Sequence, residues 1–143
     1  MKSGTIKLII DSALEHIALV GMAVNTISGE AGFSQETADQ MELAVVEAVN
    51  NAMKHAYGNR AGREIAVIIE IGPDGITFQV RETGKPMAAL NVPELNFDPG
   101  DIANLPVSGM GLYLIHQIMD EVCYASSEGT NILTMIKKLA PTV

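Results

Sequence analysis

In the segment ITFQVRE, Ile76 to Glu82, apolar and polar residues alternate. Ile76, Phe78 and Val80 fall on one side of an extended chain, and Thr77, Gln79 and Arg81 on the other. The pattern predicts a half-buried strand. The preceding apolar run REIAVIIEI joins it through GPDG, a hairpin signal. TIKLII (Thr5 to Ile10) reads as a further strand, followed by an apolar helical stretch from about Ser12 to Ile27. SGEAGFSQ is expected to be a loop. Ser34 stands as a helix N-cap with Glu36 in the first turn, and the second helix runs to about Tyr57, where Gly58 stops it. GMGLYLIHQIMDEV predicts a third helix, and CYASS with TNILTMIKKL a closing hairpin around Glu128 and Gly129. The order β-α-α-β-β-loop-α-β-β groups its strands instead of alternating them. That grouping implies an α+β fold: a two-layer α/β sandwich with helices on one face of a mostly antiparallel sheet.

Length and charge narrow the picture. At 143 residues the chain is expected to be a single domain, 1–143, large enough to bury its own core. Its one cysteine, Cys123, excludes an internal disulfide and reads as an inert core residue; with no metal spacing present, a reducing cytoplasm is the expected compartment. A formal net charge of -8 and the lack of any Lys/Arg cluster along the sequence argue against a nucleic-acid surface. The first segment is broken by Lys7, Asp11, Glu15 and His16, so no membrane span is expected.

Three places carry candidate chemistry. The first is VVEAVNNAMKHAYG, in which Asn50 and Asn51 interrupt an otherwise strong helix former at a cost of about 0.6 kcal/mol each relative to Ala. On a helical wheel Glu47, Asn51, Lys54 and His55 lie within about 80° of Glu47, opposite an apolar arc of Met41, Val45, Ala48, Val49, Ala52, Met53 and Ala56. Glu47, Asn51 and His55 therefore form a ladder, with about 6 Å of rise per step. A solvated face would favour Glu, Lys and Gln over adjacent asparagines, so a site competes with that simpler explanation. The second place is Glu82, whose strand phase puts a carboxylate on the apolar face just before TGKP. The third is SGMGLYLI, where two glycines ahead of a helix leave backbone N–H groups open to an anion. Between the last two, Gly84 to Ser108 holds four prolines and exceeds the ~12–15 residues of ordinary structureless loops, which favours a lid over about residues 87–107.

Taken in order, these motifs resemble those of the GHKL (histidine-kinase-like) ATPase superfamily. Glu47-xxx-Asn51-xxx-His55 is similar to its N-box, ETGKP to its G1 box and GMGL to its G2 box; in EGTNILTMIKK a Gly-Thr pair precedes the last strand. The GKP variant, the HAYG end of the N-box helix and the chain length resemble the anti-sigma factor serine/threonine kinases. The resemblance implies ATP and Mg²⁺ as cofactors, with Asn51 as the metal ligand and Glu47 as catalytic general base. It implies charge stabilisation by Lys54 and His55, phosphates wrapped by Gly109 and Gly111, and an adenine site at Glu82 and Thr130. Gly84, Pro86, Met110 and Leu112 complete the nucleotide-binding set. One position departs from the pattern: the G1 box begins with Asp in the family and with Glu82 here. The implied function is an ATP-dependent protein kinase that phosphorylates a STAS-type anti-anti-sigma protein and sequesters a sigma factor, acting as a cytoplasmic homodimer. A non-catalytic sequestering module with weak or lost nucleotide binding is the rival. The ATPase half of a sensor histidine kinase is disfavoured, since no phosphoacceptor helix precedes the domain.

Overall fold

A computed structural model of the chain describes residues 3–87 and 110–140. Along the chain run β1 (Gly4–Asp11), α1 (Leu14–Glu30), α2 (Gln35–Asn51), a π-helical turn (Ala52–Ala56), β2 (Glu64–Gly72), β3 (Gly75–Glu82), α3 (Met110–Ile118), β4 (Glu121–Ser127) and β5 (Thr130–Lys138). The five strands form one antiparallel sheet in the order β1-β2-β3-β5-β4, as the grouped strands predict.

One face of the sheet carries the core. Ile65, Val67, Ile69 and Ile71 of β2, Ile76, Phe78 and Val80 of β3, and Leu133 and Met135 of β5 are all buried beneath the helices. The helix layer answers with Ile17, Val20 and Val24 of α1, Met41, Val45, Ala48 and Val49 of α2, and Ile115 of α3. Each large side chain removed from water there contributes about 1.5–3 kcal/mol. Gly21 lets α1 and α2 pack closely: a Cβ at that position would stand 2.8 Å from Val46. Ser34 caps α2 by accepting a 3.1 Å hydrogen bond from the Thr37 N–H, a contact that stabilises such helices by about 1 kcal/mol.

Three local expectations are corrected. α1 continues through Ser28, Gly29 and Glu30, and the turn is taken instead at Gly32, whose φ of +109° suits glycine. α3 ends at Ile118, before Asp120, Glu121 and Val122. There the Asp120 N–H bonds Ile136 O at 2.8 Å and Glu121 pairs with Ile136, so the sheet captures the chain. Cys123 is exposed and not in the core, because β4 alternation puts it opposite Thr134 on the sheet face away from the helices. The expected lid at 87–107 lies, beyond Met87, outside the described residues.

Candidate nucleotide site at the end of the N-box helix

α2 does not run on to Tyr57 as a regular helix. After Asn51 the chain enters the π-turn, in which the Tyr57 N–H donates to Ala52 O at 3.2 Å. Such i→i+5 turns are rare and occur frequently at functional sites. Glu47 and Asn51 therefore lie on α-helix, while Lys54 and His55 lie on a wider turn where the simple wheel no longer applies. All four are on the surface of the element, Glu47 and Asn51 half-buried and Lys54 and His55 exposed.

The end of β3 is fastened to this turn. Gly84 approaches so closely that a Cβ would fall 2.3 Å from Ala56 O, which only glycine avoids, and the Lys85 N–H donates to Ala56 O at 2.9 Å. Buried Tyr57 ties the same corner: its hydroxyl donates to Glu64 O at 2.6 Å and accepts from the Thr83 N–H at 2.9 Å.

Beneath this corner is a small cavity of about 40 Å3 between α2, the π-turn, β3 and β5. Asn51, His55, Glu82, Lys85 and Asn131 give it polar groups, and Ala48, Val80, Leu112 and Leu133 give it apolar walls. Glu82 is 7% exposed, as its strand phase requires. Its carboxylate accepts a short hydrogen bond from Asn131 Nδ2, which also donates to Gly84 O at 3.0 Å, while Asn131 Oδ1 accepts from Ser126 Oγ at 2.6 Å. Burial pushes the Glu82 carboxyl above its ordinary pKa, and the hydrogen bonds from Asn131 and the Gly84 backbone oppose that shift in part. A buried, oriented carboxylate in a partly apolar pocket suits recognition of an amino-bearing heterocycle.

At the other end of the site, α3 meets the ladder. A Cβ on Gly111 would stand 2.9 Å from Glu47 Oε2 and 3.2 Å from Asn51 Nδ2. The G2-box backbone thus lies directly against the N-box carboxylate and amide, a cradle that any larger residue would fill. Among the described residues no group of three or more His, Cys, Asp or Glu could hold a metal. The donor present is the Asn51 amide, which fits a cation that keeps most of its waters and binds mainly through a ligand's phosphates.

A model of the histidine kinase-like ATPase domain family matches residues 10–137. The chain belongs to that family. Among its relatives, the serine-protein kinase RsbW of Bacillus cereus is 29% identical over 132 residues, 90% of this chain and 81% of that protein. The protein of the same name from Bacillus thuringiensis subsp. konkukian gives the same figures. The crystal structure of the RsbU and RsbW domains of a Mycobacterium tuberculosis protein is similar with a TM-score of 0.65 at 15% identity, covering 94% of this chain and 31% of that one. The likeness at that identity is one of fold, and this chain spans about a third of that solved chain.

Within this ATPase domain, the positions expected from sequence divide. Asn51, His55, Glu82 and Leu112 line the cavity, and Glu47 and Gly111 meet beside it. Gly84 closes the corner, Pro86 is exposed beside it, and Met110 opens α3. Lys54 and Thr130 do not line the cavity, and Gly109 lies outside the described residues. Asn131, Ser126 and Tyr124 were not anticipated. For Asn131 a signal exists: in TNILTMIKK it has the strand phase of Leu133 and Met135, so a polar side chain falls on the apolar face, as with Glu82.

Proposed function

We propose that this chain is an ATP- and Mg²⁺-dependent serine/threonine protein kinase of the anti-sigma type, which phosphorylates a STAS-type antagonist protein and sequesters a sigma factor. The observation that carries the reading is the meeting of Gly111 with Glu47 and Asn51, which brings the G2 backbone, a carboxylate and an amide ligand to one point. Bound there, ATP would supply the phosphoryl group and Mg²⁺ would neutralise the charge on its phosphates. Asn51 would hold the metal, and Gly109 and Gly111 would offer backbone N–H groups to the phosphates. Lys54 would add positive charge and His55 a hydrogen-bonding ring, and Glu47 would accept the proton of the attacking hydroxyl. Glu82 would accept from the adenine amino group, and Gly84, Pro86, Met110 and Leu112 would enclose the nucleotide, while Thr130, which does not line the cavity, joins this set on the family resemblance alone. The names of the Bacillus relatives support serine as the acceptor. Cytoplasmic location and a homodimer belong to the same reading; among the described residues no helix is long and apolar enough to cross a membrane.

One observation favours a second reading, a non-catalytic sequestering module. The cavity of about 40 Å3 is far below the ~300–1,000 Å3 of ordinary ligand pockets. Lys85 and Met87 line the cavity, so movement of the strap between them would enlarge it for adenine. Incubating the chain with labelled ATP, Mg²⁺ and a STAS-type protein separates the two. The kinase reading expects transfer to Ser or Thr, and Glu47→Ala should keep ATP binding yet lose transfer by ~10²–10⁴-fold. Absence of ATP binding by the wild-type chain would establish the sequestering module instead.

A further inference from the structure

The chain has nine Lys and Arg residues against seventeen Asp and Glu, and along the sequence its cations look scattered. The fold gathers several of them. Arg60 and Arg63 of the β2-leading loop and Lys85 after β3 line one open cleft of about 420 Å3, together with the imidazole-bearing His55 of the π-turn. This cleft shares His55, Ala56 and Lys85 with the nucleotide cavity, and Tyr57, Thr83 and Gly84 also line it.

Two features separate this cleft from an ordinary solvated patch. Its loop is fixed by backbone, not by its charges: buried Ser12 donates from Oγ to Arg60 O at 2.6 Å and from N to Arg63 O at 2.7 Å, and accepts from the Arg63 N–H at 3.0 Å. The cationic heads meanwhile are uncommitted. The ion pair among the described residues is Lys137 with Asp120, so none of Arg60, Arg63 or Lys85 is neutralised by an acid among the described residues. In a protein of net charge -8, a group of cations with no acidic partner among the described residues is positioned to attract an outside anion.

We propose that this cleft docks an acidic peptide segment of the protein that receives the phosphoryl group. The inference rests on the kinase reading for the identity of that partner, though not for the existence of the site. A peptide suits the cleft better than a small anion, because its cations come from two separate segments of chain, the loop of Arg60 and Arg63 and the strap of Lys85, around an open cleft. Carboxylates spaced along an extended segment match that arrangement. Docking beside the nucleotide pocket, not in it, leaves Glu47 and Asn51 free for the hydroxyl and the phosphates.

The test uses the full chain and a fluorescein-labelled octaglutamate peptide, without ATP. Saturable binding is expected, weakening as salt rises. The double variant Arg60→Glu, Arg63→Glu should weaken it by about tenfold or more, since two attractive contacts become repulsive. Only backbone atoms of these arginines hold the loop, so the variant should melt with the wild type. Its ATP affinity should also be unchanged, because neither arginine lines the nucleotide cavity. Octaglutamate binding that is absent, or equal in wild type and variant, overturns the proposal. So does tighter competition by tripolyphosphate or by a single-stranded oligonucleotide of equal charge, which would make the cleft a small-anion or nucleic-acid site. Loss of ATP binding in the wild type would instead refute the kinase reading and leave the peptide result standing.

Discussion

Gly111 and Glu82 are the two residues whose environments make the sharpest demands. Replacing Gly111 by Ala puts a methyl 2.9 Å from Glu47 Oε2, and the softest response is for the Glu47 carboxylate, the end of a flexible side chain, to swing away. Stability should therefore change by less than ~0.5 kcal/mol, as for a benign surface change, while phosphotransfer falls by about 10²-fold, the scale of a 1 Å misplacement. Urea melts and single-turnover transfer measure the two; a large stability loss with transfer intact would mean that α3 moves and the carboxylate does not. Glu82 makes a prediction in pH. Burial raises its pKa in the folded protein, so over the window between the ordinary glutamate value and the raised one the folded chain keeps a proton that the unfolded chain has released. The empty protein is then most stable below that window and loses stability as pH rises through it. ATP should respond in the opposite direction, since the charged carboxylate is the better acceptor for an adenine N–H. Glu82→Gln should flatten both trends, read by thermal melts and calorimetric titration of ATP from pH 4 to 8. ATP affinity that keeps its pH slope in the Gln variant would remove Glu82 from the adenine site.

At the level of elements, the strap after β3 forms part of the pocket wall. Its Met87 N–H donates to the Tyr124 hydroxyl of β4 at 2.8 Å, and both residues line the cavity. Tyr124→Phe removes the acceptor without emptying the space. If the bond holds the strap down in the empty protein, its loss, worth about 1 kcal/mol, should tighten ATP by roughly fivefold. Weaker ATP binding in the variant would show that the hydroxyl serves the open, nucleotide-bound form instead. The elements differ in how much of them the sequence discloses. Strands β2, β3 and β5 were legible because alternation and apolar runs report directly which face is buried, and that logic also found Glu82. The ends of α1 and α3 were not, since they depend on partners distant in sequence: Ile136, 16 positions after Asp120, ends the α3 segment by drawing the chain into the sheet. The π-turn was invisible for a different reason. Ala, Met, Lys and His suit either helix, and the choice follows from the approach of Gly84 and Lys85 to Ala56 O. Asn131 was readable by the rule applied to Glu82; the Gly-Thr pair before it drew attention one residue too early.

Over the whole molecule, charge and apolar surface act against each other. The buried residues of α1 lie on one side, and on the outward side Leu14, Leu19 and Met22 are 71%, 60% and 62% exposed, with Glu15 the single charge among them. The proposed homodimer needs an apolar surface, and this stripe supplies one. Each chain also brings a net charge of -8, so two copies repel. Salt screens that repulsion, with a Debye length falling from about 30 Å at 0.01 M to about 10 Å at 0.1 M, while it leaves apolar contacts intact. Self-association should therefore strengthen as salt rises over that range. Binding of an acidic peptide in the Arg60–Arg63 cleft should weaken over the same range, since it depends on attraction. Sedimentation equilibrium of wild type and of Leu19→Glu, Met22→Glu distinguishes the contributions. The wild type is expected to shift toward dimer with salt, and the variant, which puts charge into the stripe at two exposed positions, to stay monomeric at every salt concentration. A variant that dimerises like the wild type would place the interface elsewhere on the molecule, and a wild-type dimer that falls apart as salt rises would mean that complementary charges, not the α1 stripe, hold it.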